Sequence, residues 1–361
     1  MLSAPISIAT RMLAIWGCLL GAAAGAAGQS DWGHWAEDAR KQHPLVGSIF
    51  VPQQPSFQPN VTMFGGSWKF QGWAEGELLR PLPPDGRGLV LPSELVLLGE
   101  VHDNPMHHRV RRWLIESSRA AHRDWQPGAV FEHIRTDQQS ALEQFKALGD
   151  AGRADDLLGL LEWDKSGWPP ASIYRPLFEA VVATRLPILA GNTPRDRIKA
   201  VARQGLPALT PEERTRLRLD TPFPQPLSGA LSQELADSHC GALPLQAMDG
   251  MAAAQRYRDA HMADALLAAE QSHGSAILIA GNGHVRSDRG VPWHIRQRKP
   301  DARVMSVVLV EVEDGKTEPA AYLPRDPDGK PAADLLIFTP RAERADPCES
   351  FRKKGSDPSR Q

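Results

Sequence analysis

The stretch that decides the fold is LVLLGEVHDNP, residues 95–105. Its first four residues form a short apolar run followed by a glycine, a pattern typical of a buried strand. Asn104 is a favourable N-cap and Pro105 is favoured at the first position of a helix, so a helix is predicted to begin there. A buried strand followed at once by a helix is the unit of parallel α/β sheets. The turn between them carries Glu100 and His102.

Similar apolar runs recur along the chain and are separated by helical patterns. Further strands are predicted at residues 129–131, 186–190, 276–280, 304–312 and 335–338. A long helix is predicted from Asp249 to about Gln271. Residues 137–184 are predicted to form helices and no strand. The predicted fold class is therefore α/β, with a mostly parallel sheet flanked by helices and an inserted helical subdomain.

The two ends of the chain differ from this α/β domain, which is predicted over residues 91–340. Residues 1–28 contain one charged residue, an apolar run and then small residues, the layout of a secretory signal peptide. Residues 29–90 are rich in Gly, Pro, Trp and Gln and are predicted to form an extended leader. Residues 341–361 are polar and charged and are predicted to form a flexible tail. The signal predicts export to the periplasm or cell envelope.

The three cysteines bear on the same question. Cys18 lies in the sequence IWGC, which partly matches a lipobox, whereas its apolar and small neighbours suit a continuing signal segment. It is therefore either lipidated, which would hold the protein at the envelope membrane, or removed with the signal. An oxidising compartment would permit Cys240 and Cys348 to pair. The sequence leaves that pairing open.

Composition excludes several classes of protein. Hydrophobic residues make up 42% and charged residues 23%, with 41 basic against 43 acidic side chains. These values are ordinary for a soluble globular domain and exclude a largely disordered chain and a polytopic membrane protein. A nucleic-acid binder would need a basic face, which the near-neutral balance does not suggest. The motifs HExxH, GxSxG, GxGxxG and CxxCH are absent, which excludes the usual zinc-protease helix, the serine-hydrolase elbow, the dinucleotide fingerprint and covalent haem attachment.

Ionisable side chains follow several of the predicted strands. Ligands of open α/β sheets bind beyond the carboxyl ends of the strands, so these side chains are expected to meet at one rim. Carboxylates and imidazoles together suit a metal site or an acid–base site. The alternative for each residue is a polar strand exit that meets water. The predicted catalytic set is Glu100, His102, Glu132, His133 and His284, of which Glu100, His102 and His284 are the predicted ligands of a divalent metal.

Two further patterns concern helices. Gln255 and Arg258 interrupt the apolar stripe of the long helix, so this face either reaches the polar site or is partly exposed with Arg258 extended to water. His107 and His108 are adjacent on the first helix and point about 100° apart. They therefore do not suit binding one ion together. Either one of them faces the cleft or both lie at the surface, and we expect both at the surface.

Five sequence blocks resemble the ChaN family of iron-regulated, haem-binding envelope lipoproteins. They are LGEVHDN (98–104), FEH (131–133), GN (191–192), QRYRDAHMA (255–263) and GNGHVR (281–286). The wider superfamily includes Tiki- and TraB-type proteins, among them metal-dependent proteases, and erythromycin esterases. The resemblance extends from about Leu95 to Val310.

The resemblance implies a haem-binding protein that dimerises and encloses two stacked haems, each with its iron held by a tyrosine. The chain has three tyrosines. Tyr174 is the predicted ligand because it follows Trp163 and Trp168 in the helical insert, and Tyr257 is the second candidate. Arg258 is a predicted cofactor-binding residue.

Two functions therefore remain open from the sequence. The first is haem binding at the cell envelope in iron or haem uptake or trafficking, with Arg175 and Arg185 as possible partners of the haem propionates. The second is a metal-dependent hydrolase, a protease or an esterase, that uses the Glu/His cluster at the strand ends.

Overall fold

The computed structural model describes residues 41–52, 78–79, 91, 94–241, 245–346 and 348–349. The predicted signal peptide at 1–28, Cys18, most of the predicted leader and the end of the tail lie outside the described residues. Within the described residues, no helix combines the length and apolarity needed to cross a membrane.

Among the described residues, an eight-stranded sheet forms the centre, in the order β2-β1-β8-β7-β3-β6-β4-β5. Strands β3 to β8 pair in parallel, whereas β1 runs antiparallel to both β8 and β2. The predicted α/β class with a mostly parallel sheet is therefore confirmed. The strands are β1 Ile49–Phe50, β2 Leu78–Leu79, β3 Leu95–Leu98, β4 Gly128–Arg135, β5 Ile188–Asn192, β6 Ala276–Ile279, β7 Val304–Glu311 and β8 Leu335–Thr339.

Strand β3 lies between β6 and β7 and is buried on both faces. Successive side chains of a strand point to opposite faces. Val96 and Leu98 accordingly join the core on one side of the sheet, and Leu95 and Leu97 join the core on the other. This double burial explains why the strand reads as an unbroken apolar run without alternating polar residues.

Helices cover both faces of the sheet. Helix α1 begins where its sequence predicts, because the Asn104 side chain accepts a hydrogen bond from the backbone N–H of Met106 at 2.8 Å. Helix α8 begins at Leu245, ahead of the predicted Asp249. The helices are α1 Pro105–Ala121, α2 Gln139–Ala147, α3 Ala154–Leu160, α4 Ala171–Ala183, α5 Arg195–Gln204, α6 Pro211–Arg216, α7 Gln225–Ser238, α8 Leu245–His273, α9 Asn282–Val285 and α10 Val291–Arg296.

The helices α2, α3 and α4 follow one another between β4 and β5, with short 3-10 turns between them. They occupy the stretch for which the sequence predicts an inserted subdomain. Helix α4 packs against α1, and its Tyr174, Leu177 and Phe178 enter the same apolar core as β3. The insert therefore lies over one face of the sheet, close to the rim where β3 and β4 end.

Ion pairs and a hydrogen bond hold the first residues of the predicted flexible tail against the domain. The Arg344 guanidinium forms ion pairs with Glu311, at the end of β7, and with Asp103, in the turn after β3. The backbone N–H of Ala342 also donates to Glu311. The cysteine pairing that the sequence leaves open is present, since Cys240 and Cys348 form a disulfide across 108 residues of sequence.

Candidate functional site

Two turns and one strand bring the predicted site residues to the same rim of the sheet. Strand β4 continues to Arg135, beyond the predicted end at residue 131, so Glu132 and His133 lie within the strand. Consecutive strand residues point to opposite faces. His133 therefore turns toward Glu100 on one side, and Glu132 turns toward His284 on the other.

Glu100 is the centre of the first cluster and is 2% exposed. Its Oε1 atom is shared by three neighbours. They are His102 Nδ1 at 2.5 Å, His133 Nε2 at 2.8 Å and the Tyr174 hydroxyl, which donates at 3.1 Å. The Oε2 atom pairs with the guanidinium of Arg111, which has no exposed surface. Arg111 thus compensates the carboxylate charge at Oε2, while Oε1 holds two imidazoles and a phenol in place.

His102 is the member of this cluster that reaches solvent, with 36% of its side chain exposed. The contact with Glu100 assigns the proton to Nδ1, which leaves the lone pair on Nε2. Burial of the ring lowers the pKa of His102 below its usual value, so the imidazole is neutral at pH 7. Its Nε2 lies 4.0 Å from Oε1 of Glu132. A Cβ atom on Gly281 would lie 3.0 Å from the same nitrogen, so a glycine there keeps the space beside Nε2 open.

Glu132 is the centre of the second cluster. Its Oε2 accepts the backbone N–H of Gly281 at 2.7 Å, and its Oε1 accepts from Arg258 and from His284 Nε2, the latter at 3.2 Å. Burial would raise the pKa of Glu132, but His284 and Arg258 together hold it well below its usual range. Glu132 is therefore an anion at neutral pH.

His284 is held between two carboxylates. Its Nδ1 lies 2.5 Å from Oδ1 of Asp259 and 3.0 Å from the Gln255 side chain. Burial works against protonation, yet Glu132 and Asp259 raise the pKa of His284 to about 9. The ring therefore carries a positive charge at pH 7, and both of its N–H groups can donate. The face of α8 that bears Gln255 and Arg258 reaches the site, which resolves the alternative that the sequence left open.

Asp259 is a site residue that sequence reasoning missed. It is 2% exposed and lies four positions after Gln255, one helical turn along the same face of α8. That spacing is the signal that could have found it, because a face already known to carry Gln255 also presents Asp259.

An aromatic wall closes one side of the rim. Trp168, in the loop before α4, is half-buried, and its ring centroid lies 4.9 Å from that of His102 and 4.6 Å from that of His133. Its indole N–H donates to the carbonyl oxygen of His133 at 3.2 Å. Trp168 and His102 are thus partly exposed, whereas the neighbouring rings of His133 and Tyr174 are buried.

The two predicted tyrosine ligands are enclosed. Tyr174 has no exposed surface, and its hydroxyl donates to Glu100. Burial raises the pKa of Tyr174 far above its usual value, which stabilises the neutral phenol over the phenolate. Tyr257 is 1% exposed, and its hydroxyl contacts Thr193 and Glu213, each at 2.9 Å. Burial likewise raises the pKa of Tyr257.

His107 and His108 are fully buried, so the expectation that they lie at the surface was wrong. His107 accepts the backbone N–H of Val101 at 2.8 Å and contacts the Thr339 hydroxyl at 2.8 Å. His108 contacts the carbonyl oxygen of His102 at 3.0 Å. Both rings are held neutral, because burial lowers the pKa of each to about 3. The two histidines fix the turn that carries the site.

Potential metal donors converge on one side of the rim. One atom each from Glu100, His102 and His133 lie within 4.8 Å of one another. The predicted metal set contained His284 instead of His133. The geometry directs His284 to Glu132 and Asp259 and brings His133 to Glu100.

The predicted propionate partners lie on the insert and are already paired. Arg175 forms an ion pair with Asp155, and Arg185 forms one with Asp150 at 3.0 Å. Both pairs are solvent-exposed.

A family model described as "Haem-binding uptake, Tiki superfamily, ChaN" matches residues 90–295, more than half of the chain and all of the site from Glu100 to His284. A search of curated protein sequences finds no match.

Among solved structures, one described as "Cofacial heme binding to ChaN of Campylobacter jejuni" has 20% sequence identity and a TM-score of 0.52, and the match covers 67% of this chain and 86% of that chain. The type III effector HopBA1 has 11% identity and a TM-score of 0.38, with 69% and 88% covered. A mutant of the erythromycin esterase EreC in its open conformation has 14% identity and a TM-score of 0.34, with 73% and 80% covered.

Proposed function

The chain belongs to the ChaN family of the Tiki superfamily, and on that premise we propose that it binds haem at the rim where β3 and β4 end. The observation that carries the proposal is the pairing of a half-open imidazole with an aromatic wall. His102 has 36% of its side chain exposed beside half-buried Trp168, whereas the rest of the Glu100 cluster is buried. Haem sites need a flat apolar contact and an accessible axial donor.

The donor chemistry of this rim fits haem iron better through an imidazole than through a phenolate. Tyr174, the ligand predicted from the sequence, is enclosed, and its hydroxyl donates a hydrogen bond to Glu100. His102 already donates a hydrogen bond from Nδ1–H to the same carboxylate, the arrangement that orients metal-binding histidines and raises their basicity. We therefore propose that His102 would supply the iron ligand and that Trp168 would contact the macrocycle. When bound, the iron would supply the redox and ligand-binding chemistry.

Titration of the chain lacking residues 1–28 with haemin, followed by absorbance spectra, tests this proposal. The expected result is saturable binding with the spectrum of an imidazole complex, which His102→Ala removes and His122→Ala leaves unchanged. His122 is an exposed histidine at the end of α1 and serves as the matched control. If Tyr174→Phe removes a phenolate charge-transfer band, tyrosine is the ligand and His102 is not. If the wild-type chain does not bind haemin, the proposed function is wrong.

A role in haem or iron uptake at the cell envelope is the accompanying proposal. The signal-like pattern at residues 1–28 supports export, and the disulfide between Cys240 and Cys348 suits an oxidising compartment. Lipidation at Cys18 and a homodimer remain predictions. Fractionation of cells that express the full chain tests the location, and sedimentation with and without haemin tests the dimer.

The convergence of Glu100, His102 and His133 favours a second candidate, a divalent-metal site of a hydrolase. Two imidazoles and one carboxylate leave a coordination position open, as catalytic zinc sites do. Metal analysis of protein purified without chelators tests this candidate. One bound ion per chain that is lost in both His133→Gln and His102→Ala, together with ester or peptide hydrolysis, would support it. A wild-type chain without metal and without turnover would reject it.

A further inference from the structure

Arg195 lies beside the aromatic wall of the site. It is the first residue of α5, which follows β5 at the same rim, and its Nη2 atom lies 3.4 Å from the position that a Cβ atom on Gly167 would occupy. Gly167 has a φ of +79°, a conformation that glycine adopts without strain. This turn leads directly into Trp168, so the guanidinium lies next to the residue that precedes the indole in the chain.

The Arg195 side chain is exposed, and no hydrogen bond or ion pair engages it in the described part of the chain. The other arginines near the rim already face carboxylates. Arg258 pairs with Glu132, and Arg111 pairs with Glu100. The arginines predicted from the sequence as propionate partners, Arg175 and Arg185, are likewise occupied by aspartates of the insert.

The charges deeper in the site are balanced. The Glu100 carboxylate faces Arg111, and the Glu132 carboxylate faces both Arg258 and His284. A ligand carboxylate that entered this network would have to displace a buried partner, which is costly. An anionic group is therefore better accommodated at the edge, where Arg195 offers donors without a competing acid.

We propose that Arg195 and Trp168 form a subsite for a planar aromatic ligand that carries a carboxylate, with the ring system against the indole and the carboxylate on the guanidinium. This inference rests on the proposed haem function and names Arg195 as the partner of a haem propionate. Arginine suits the task because its planar fork can bind both oxygens of a carboxylate. Trp168 also contacts His102, so the subsite adjoins the proposed axial donor.

Comparing haemin with haemin dimethyl ester, in which both propionates are esterified, isolates this contact. Arg195→Gln should weaken binding of haemin about tenfold, the size expected for loss of one charge-assisted hydrogen bond. It should not change binding of the dimethyl ester. Arg203→Gln, which removes an exposed arginine from the opposite end of α5, is the control and should leave the affinity for both ligands unchanged.

The variants also separate this inference from the proposed function. Arg195→Lys keeps the charge without the planar fork and should recover part of the haemin affinity. Trp168→Leu should weaken binding of the acid and the ester alike. Equal haemin affinity in wild type and Arg195→Gln, or an equal loss for acid and ester in Arg195→Gln, overturns the subsite. A wild-type chain that binds neither ligand overturns the haem proposal itself and the subsite with it.

Discussion

The guanidinium of Arg111 and the carboxylate of Glu100 form an ion pair in which neither side chain has exposed surface. Removing one partner of a buried pair leaves an uncompensated charge and costs about 3–5 kcal/mol. We expect Arg111→Met to lower the free energy of unfolding at pH 7 by that amount, measured by urea denaturation.

The next residue of the same helix provides the control. Arg112 pairs with Glu116 and Glu179 near the surface, with 37% of its side chain exposed. Exposed pairs contribute about 0–1 kcal/mol, so Arg112→Met should have little effect. Equal losses in the two variants would contradict the assignment of Arg111 as the counter-charge of the site.

His107 makes folding sensitive to acid. Burial lowers its folded pKa to about 3, below the unfolded value of 6.5. The stability that it contributes is therefore complete above pH 6.5 and is lost as the pH falls toward 3, at about 1.4 kcal/mol per pH unit. His107→Gln should be less stable than wild type at pH 7 and should lose less stability between pH 6.5 and pH 4.5. Denaturant midpoints across that range measure the slope, and exposed His122→Gln should keep the wild-type slope. An unchanged slope in His107→Gln would contradict a neutral, buried His107.

The central strands could be predicted from the sequence, because a strand that is buried on both faces of the sheet has no polar positions. Leu95–Leu98 is apolar on both faces for that reason, and the Asn104–Pro105 pair marks the helix start locally. The rim could also be predicted, since parallel strands place their carboxyl ends on the same side. Glu100, His102, Glu132, His133 and His284 do meet there.

The contacts between individual site residues could not be predicted from the sequence. Each contact depends on how a helix or strand that is distant in the chain is oriented. His284 is joined to Asp259 only because α8 turns that face to the sheet. His107 and His108 were expected at the surface, yet both rings are buried, with His107 against Thr339 and His108 against the carbonyl oxygen of His102. Tyr174 was predicted as the haem ligand because it follows two tryptophans. Its hydroxyl instead donates a hydrogen bond to the buried Glu100.

Helix α8 approaches α5 through a glycine. A Cβ atom on Gly250 would clash with the backbone carbonyl of Ala202 in α5. Because that contact is backbone, the two helices would have to separate, and Gly250→Ala should lower the stability by about 1–3 kcal/mol. Gly229 in α7 is exposed with nothing within 4 Å of its Cβ position. Gly229→Ala should therefore raise the stability by about 0.5–1 kcal/mol through helix propensity. Thermal unfolding of both variants measures the two signs, and stabilisation in Gly250→Ala would contradict the close approach.

The disulfide between Cys240 and Cys348 ties the tail to the end of α7 across 108 residues. A closed loop of this length restricts the unfolded chain, and the entropy model gives about 4–5 kcal/mol of stabilisation. Cys240→Ser together with Cys348→Ser should lower the free energy of unfolding by that order. A thiol reductant should lower the stability of wild type by the same amount and leave the double variant unchanged, which separates loss of the cross-link from side effects of the substitutions. The contacts of Arg344 with Glu311 and Asp103 do not depend on the cross-link, so the tail should stay docked at that point in the reduced protein. Wild type that unfolds at the same denaturant concentration with and without reductant would show that the cross-link does not restrict the unfolded chain in this way.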